Sequence, residues 1–372
     1  MNNSLNKIKI GNKMIEEGKP VFIIAEAGSN HNRDFEQAKK LIDVAAKTGV
    51  NAIKFQLFRA STVYLPNCGK IPTFQGELDL YNFFKRTELP IDWLIKLKKY
   101  AENKGLIFLA SVFDEKLVDK LEEIKIVAYK IASPELNHLP LLRYVAKKKK
   151  PIILSLGLST LSDIEEAINT IYEENNHQIV LLHCVSSYPA PPEDYNLNVI
   201  ETLKKVFQIP VGVSDHSLDP ILIPKLSVAV GALIIEKHFT LSKKLKGADH
   251  PFSLEPNELK LMVKEVREVE KWSQGKRKKF LDSKPFYKKI LGTSQKIITP
   301  SEKILYPGDK RSIFVIKNIK KGEKLTKRNL AILRAERYLL PGIHPRYFDL
   351  VLGKKVIKPI KKYTGLKWDY LF

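Results

Sequence analysis

Two histidines stand at the ends of two apolar runs, VGVSDH at 211–216 and ALIIEKHF at 232–239. Asp215 directly precedes His216, and Glu236 lies two residues before His238, so Glu236 and His238 share one face of an extended strand. A single histidine at a strand end reads most simply as a hydrogen-bonded structural residue. A pair at matching positions, each beside a carboxylate, reads instead as two ligands of one divalent metal, with coordination positions left open for water or substrate. The oxygen-rich company suits Mn2+ or Mg2+ better than a closed zinc site.

A second group of residues points to an anion. Lys54 and Lys130 lie inside the apolar runs NAIKFQ and VAYKIAS, where a lysine needs a partner or an exit to solvent. Hydroxyls recur at the ends of neighbouring runs: Ser111, Ser133, Ser155, Ser186 and Ser214. Ammonium groups supply point charge and hydroxyls supply donors, which together fit a phosphate or carboxylate. The same run ends carry the candidate catalytic carboxylates Glu26, Asp215 and Glu236. His183 and Cys184 are consecutive, so only one of them can face inward, and Cys184 reads as a packed apolar thiol. His31, in GSNHN, is open to either a structural or a catalytic role.

The elements that must position these residues follow one pattern. Short β-branched runs at 21–28, 52–58, 106–113, 127–133, 151–157, 179–184, 211–216 and 232–239 alternate with amphipathic helix-length segments. Runs apolar almost throughout are typical of parallel strands buried on both faces. Eight such strand–helix units predict an α/β fold, a (β/α)8 TIM barrel, whose usual length of ~250 residues fits 1–272 as the barrel domain. Its catalytic residues would project from the C-terminal strand ends. Residues 59–90 are too long for a simple connection and read as a lid or active-site insertion. Residues 273–308 lack clear periodicity and read as a linker. Residues 309–372 show short strands, turns at KKGEKL and KKYTGL, and a short helix near HPRYFDLVLG; a unit this small gains from docking on a larger one.

Composition excludes several classes. The chain has 372 residues, 44% hydrophobic and 28% charged, with a formal net charge of +22. The lysines are scattered and favour helix ends rather than one aromatic-lined face, so a nucleic-acid partner is not expected. The charge does suit an anionic substrate, and leaves a non-catalytic binder of anionic polymers as the reading from a different class. No apolar run reaches the ~20 residues of a membrane span, and the N-terminus has no secretory apolar stretch. Two cysteines without a CxxC pair fit a reducing cytoplasm.

Taken in order, IIAEAGSNHN, NAIKFQ, AYKIAS, ILSLGLST, LLHCVSSYPAPPEDYNL, VGVSDHSLD, EKHFTL and DHPFSLEP resemble the sialic acid (N-acetylneuraminate) synthase family. The C-terminal unit resembles the antifreeze-like SAF domain attached to those enzymes. The resemblance implies a transferase of carbohydrate biosynthesis that condenses phosphoenolpyruvate with the open-chain aldehyde of an N-acetylated hexosamine. The product would be a nine-carbon 3-deoxy-2-keto sugar acid plus phosphate. Acceptors of the family include N-acetylmannosamine, a 6-phosphorylated mannosamine and a diacetamido sugar leading to legionaminic acid. The implied metal is manganese, with Mg2+ or Co2+ as alternatives, on His216 and His238. Lys54, Ser111, Lys130, Ser133, Ser155, Ser186 and Ser214 match phosphoenolpyruvate-binding positions; the family can carry Asn at the Ser186 position. Glu135, Tyr188 and Asp249 match positions near the sugar, and Glu26 and Glu236 positions near the reacting carbons. The SAF domain would reach over a partner barrel in a domain-swapped homodimer and supply an arginine to the N-acetyl group. That arginine falls on Arg334, with Arg337 and Arg346 as the alternatives in the same stretch. A related reading is a seven- or eight-carbon 3-deoxy-keto-acid synthase, which the SAF-like tail disfavours.

Overall fold

The computed structural model describes residues 7–73, 76–336 and 339–372. Eight parallel strands close into a barrel. They are β1 (Phe22–Gly28), β2 (Ala52–Leu57), β3 (Ile107–Val112), β4 (Tyr129–Ile131), β5 (Ile152–Ser155), β6 (Ile179–Cys184), β7 (Val211–Asp215) and β8 (Ile234–His238). Each pairs with its neighbour in sequence, and β8 pairs with β1 to close the ring. All eight apolar runs become barrel strands, trimmed by up to two residues at either end.

Strand periodicity explains how the barrel is filled. Alternate residues point inward. Along β1 the inward set is Phe22, Ile24, Glu26; along β2 it begins Ala52, Lys54; along β8 it is Ile234, Glu236, His238. The lower inward residues join Leu109, Ile153, Val180 and Leu182 in one apolar cluster. Beneath them an antiparallel hairpin, Ile8–Ile10 paired with Lys13–Ile15, plugs the barrel floor with Ile8, Ile10 and Ile15. Each inward set thus turns from apolar to polar toward the C-terminal end. The outward set (Ile23, Ile53, Phe108, Leu154, Leu181, Val213, Ile235) packs under the surrounding helices in a separate, larger core.

The helices obey their capping signals. The helix Phe35–Thr48 starts at Asp34, whose side chain accepts from the N–H groups of Glu36 and Gln37. The helix Leu161–Tyr172 begins with a capping box between Thr160 and Asp163. The insertion at 59–90 contains a short helix (Ala60–Val63), a hairpin (Lys70–Thr73 with Gly76–Asp79) and a helix (Leu80–Thr87).

The stretch 273–308 is more structured than its lack of periodicity implies. Helices form at Gln274–Leu281 and Pro285–Leu291. The first, QGKRKKFL, is charged nearly all round, so it shows no apolar stripe; the Ser273 cap and the contacts of Phe280 with Trp272 and Tyr287 hold it in place. Beyond it, β9 (Arg311–Val315), β10 (Leu330–Arg334) and β11 (Thr364–Gly365) form a small antiparallel sheet with β9 in the centre. Ile313, Val315, Leu325, Ile332, Val351 and Leu366 fill its core. This arm seats on the C-terminal end of its own barrel.

Candidate active site

The polar layer above the apolar barrel interior is a charged network. Lys54 Nζ lies 2.7 Å from Glu26 and 3.7 Å from Glu236. Lys130 Nζ lies 3.3 Å from Glu236 and donates to Ser155 Oγ at 2.8 Å. Ser214 Oγ donates at 2.9 Å to Glu236 Oε1, the oxygen that also faces Lys130. All of these side chains are buried, and β2, β4, β5, β7, β8 and β1 each contribute one or more. Register explains the convergence: Ser214 lies opposite Glu236, and Glu26 opposite Lys54.

The two carboxylates are pushed to opposite sides of the ordinary carboxylate range. Burial, only partly offset by Lys54, pushes Glu26 up to about 7. The same burial acts on Glu236, but Lys130 and Lys54 overcome it and hold that carboxyl at about 2. Burial disfavours the Lys54 ammonium, yet Glu236 and Glu26 together keep it above its ordinary value. Burial holds Lys130 below its ordinary value against the pull of Glu236. Two titratable groups with environments that push their pKa values apart are the arrangement expected of an acid–base site.

Hydroxyls without partners border this network. Ser111 Oγ and Ser186 Oγ are buried and make no hydrogen bond. Ser133 Oγ accepts from the N–H of Gly157 at 3.0 Å, which turns the loop after β5 toward β4. Unpaired buried donors are costly unless a ligand completes them. Lys54, Lys130 and the five serines therefore converge in one region, a candidate anion site.

The histidine pair lies beside it. The rings of His216 and His238 have centroids 5.6 Å apart. His216 Nδ1 contacts the Val185 carbonyl at 2.8 Å, which fixes the ring and leaves Nε2 available. His238 keeps a buried Nδ1 without a partner. Tyr188 packs on His216 at 4.2 Å between ring centroids, and Phe252 on His238 at 5.2 Å. Asp249 faces the same corner: a Cβ added at Gly28 would fall 2.6 Å from its Oδ2 and 3.4 Å from the His238 ring. Among the described residues no group of three or more His, Cys, Asp or Glu is arranged as a metal cluster. The donor set therefore suits an open-sided ion held by two imidazoles rather than a closed structural site.

Asp215 falls elsewhere. As the neighbour of inward-facing Ser214 it points outward, where it accepts from Lys237 Nζ at 2.6 Å, Tyr195 OH at 2.6 Å and Ser217 N at 2.8 Å. The Tyr195 hydroxyl also accepts from the N–H of His216 at 2.7 Å. Asp215 thus supports the loop carrying His216 from behind and does not face the anion site. Cys184, by contrast, is inward, with Sγ 3.8 Å from His216 Nδ1, while His183 turns outward to the Tyr195 carbonyl.

Glu135 and Arg334 meet where the arm seats. Arg311 Nε donates to Glu135 Oε2 at 2.6 Å, and Arg334 donates to Glu135 Oε1. Arg334 also donates to Tyr64 OH at 3.1 Å and keeps Nε buried without a partner among the described residues. Arg311 further donates to the carbonyls of Thr62, Phe113 and Ile332, joining insertion, barrel and arm. Arg346 pairs with Glu166 at 2.8 Å on the surface, away from this cluster. Arg337 lies outside the described residues. His31 is fully buried, with Nδ1 accepting from the N–H of Arg33.

Sequence reasoning missed Arg311 and a linker residue, Glu302. Arg311 opens a strand like many surface arginines, and Glu302 sits in a segment without periodicity. Glu302 is nevertheless fully buried, with Oε1 accepting from Leu158 N at 2.8 Å and Ser186 N at 3.0 Å. A groove at the opposite, N-terminal end of the barrel is lined by Lys204, Lys205, Lys271 and Arg277 and contains none of the network above.

Comparison with known proteins places the whole chain. Spore coat polysaccharide biosynthesis protein SpsE of Bacillus subtilis is 42% identical, covering 97% of this chain and 96% of that protein. Its crystal structure superposes with a TM-score of 0.85 at 40% identity, covering 99% of each chain. N,N'-diacetyllegionaminic acid synthase of Legionella pneumophila is 35% identical over 94% of each chain. The structure of N-acetylneuraminic acid (sialic acid) synthetase from Leptospira borgpetersenii, in complex with citrate, matches with a TM-score of 0.68 at 36% identity, covering 76% of this chain and 98% of that one. The NeuB family pattern spans residues 41–279, and the SAF domain pattern residues 310–371. With a (β/α)8 barrel, an SAF arm and relatives that match along nearly its whole length, the chain belongs to the NeuB family.

Proposed function

We propose that this chain condenses phosphoenolpyruvate with the open-chain aldehyde of an N-acetylated hexosamine to give a nine-carbon 3-deoxy-2-keto sugar acid and phosphate. The observation that carries the reading is the layer of two lysines and unpaired hydroxyls around Glu26 and Glu236, whose pKa values are driven to about 7 and about 2. Lys54, Lys130 and the serines hold the phosphate and carboxylate of phosphoenolpyruvate. Its methylene carbon bonds to the aldehyde carbon, the aldehyde oxygen takes a proton from solvent, and positive charge develops at C2. Water then adds at C2 and passes a proton to ionised Glu26. The C2 hydroxyl then gives its proton to the departing phosphate as the C2–oxygen bond breaks, leaving the C2 ketone and free phosphate. Glu236, already committed to both lysines, stays ionised and stabilises the charge at C2 electrostatically.

His216 and His238 would hold a divalent ion, Mn2+ first with Mg2+ or Co2+ as alternatives, and such an ion supplies Lewis-acid polarisation of the aldehyde. Tyr188 and Asp249 flank the histidines and Arg334 offers its free Nε, so the sugar would lie between them. The acceptor is N-acetylmannosamine, a 6-phosphorylated counterpart, or the diacetamido sugar that leads to legionaminic acid; similarity to the Legionella synthase supports the last. The arm contacts seen within one chain would be made on a partner barrel when two chains exchange arms, giving a swapped homodimer.

The deciding experiment offers the purified protein phosphoenolpyruvate, Mn2+ and each acceptor in turn, with phosphate release and product mass as readouts. A nine-carbon keto acid from one of them is expected. Phosphate release with none of these acceptors, or activity only with arabinose 5-phosphate or erythrose 4-phosphate, overturns the reading.

A further inference from the structure

Glu302 belongs to the turn-rich segment between barrel and arm, yet it is fully buried. Its carboxylate makes four contacts. Oε1 accepts from Leu158 N and Ser186 N, and Oε2 accepts from Thr299 N and Thr299 Oγ1, both at 3.1 Å. Leu158 and Ser186 lie in the loops after β5 and β6, which also carry Gly157 and the unpaired Ser186 hydroxyl. Leu158 stands at φ +54°, a conformation uncommon for a residue with a side chain, so something must hold this loop. A Cβ on Gly157 would fall 2.1 Å from Ser186 Oγ, 2.9 Å from Ser133 Oγ and 3.2 Å from Glu302 Oε1. Two hydroxyls and one carboxylate therefore close around a bare Cα.

We propose that Glu302 is a positioning residue for phosphoenolpyruvate: it staples the loops after β5 and β6 so that Ser133 and Ser186 converge on the phosphate. The inference rests on the function proposed above and adds to it a link from the interdomain segment to substrate affinity. The contacts themselves favour a staple over a displaceable plug. Removing the carboxylate would strand two buried amides at once. Ser186 Oγ, by contrast, is left unpaired beside the staple, ready for a ligand.

The test compares full-length wild type, Glu302→Ala and Glu302→Gln by calorimetric titration with phosphoenolpyruvate and by steady-state kinetics for both substrates. Loss of two charge-assisted contacts should raise Kd and KM for phosphoenolpyruvate at least about tenfold in Glu302→Ala, with acceptor KM and kcat within about threefold. Glu302→Gln, whose amide oxygen can still accept both N–H groups, should fall between wild type and Ala. If Glu302→Ala does not fold, the same split in Glu302→Gln carries the test. Tighter phosphoenolpyruvate binding in either variant would mean that Glu302 occupies the phosphate's place, which overturns the proposal. Unchanged affinity, or an equal rise for both substrates, overturns it too. A wild-type protein that does not bind phosphoenolpyruvate sinks the proposed function along with it; normal wild-type binding with an unaffected variant sinks only the staple.

Discussion

Glu26 and Glu236 share Lys54 across the β8–β1 seam, at 2.7 and 3.7 Å from its ammonium, yet their carboxyls are shifted in opposite directions. The difference lies in the second lysine: Lys130 reaches Glu236 at 3.3 Å through β4, and Ser214 donates to it as well. With its carboxyl near 7, Glu26 ionises in the working range, so kcat/KM should rise with pH through about 7. Glu26→Gln should lose that ascending limb and about 100-fold or more in kcat, as removal of a general base does. A limb that persists in Glu26→Gln would assign the titration to another group.

The histidine pair predicts a metal requirement that can be read without turnover. His216→Ala should retain the circular dichroism and melting profile of the wild type but lose bound Mn2+ by elemental analysis. Chelation of the wild type should remove activity, and added Mn2+ should restore it. Stoichiometric Mn2+ in the His216→Ala protein would refute the ligand assignment.

Asp215 and Lys237 form a buried ion pair outside the anion site. Asp215→Ala leaves the Lys237 charge without its carboxylate, which costs about 3–5 kcal/mol for a buried pair. A large fall in melting temperature is expected from Asp215→Ala, and a smaller one from Lys237→Met, which removes the charge and keeps the volume. Equal losses would show that packing, not the stranded charge, dominates.

Two buried histidines predict how stability depends on pH. Burial lowers His183 to about 3, and lowers His31 to about 4 with help from Arg33. Both are neutral in the folded and unfolded chain above about pH 6.5. As pH falls below that value the unfolded chain takes up protons that the folded chain refuses, so stability is lost between about 6.5 and 4. Each contributes a slope of up to about 1.4 kcal/mol per pH unit. Glu26 acts in the opposite sense, since the folded state binds its proton first between about 7 and 4.5, but burial also lowers His138 to about 3 and His250 and His344 to about 4, and these add to the fall. Urea melts across this range should show the net fall, and His183→Gln should flatten it if the variant folds.

Arm exchange predicts complementation. If Arg334 acts on the partner barrel, mixing unfolded Glu26→Gln and Arg334→Ala chains and refolding them together should regenerate one intact site per mixed dimer. That amounts to about a quarter of wild-type activity for random pairing in a two-fold dimer. Seating on its own barrel restores nothing, because every site then carries one defect.

The barrel was legible because its signals are local. Eight apolar runs at βα spacing give eight strands, and period-two alternation sends Glu26, Lys54, Ser214 and Glu236 to one face wherever the strands lie. The same rule already separated His183 from Cys184, although which of them faces inward was settled by the path of β6. The SAF arm was legible from its turns and short strands. Arg311 and Glu302 were not, since nothing within a few residues of either distinguishes a buried partner from a solvated one.

By itself, then, the sequence determined the strands, their order and the set of side chains delivered to the C-terminal end of the barrel, because side-chain direction in a strand depends on neighbours two residues away. Tertiary structure alone decided that burial raises the Glu26 carboxyl while two lysines hold that of Glu236 down, that Asp215 turns its back on the site, and that Glu302 ties the loops from the linker. Those outcomes depend on burial and on charges a few ångströms away in space but up to about 200 positions away along the chain, as with Glu26 and Glu236, and no local pattern encodes them.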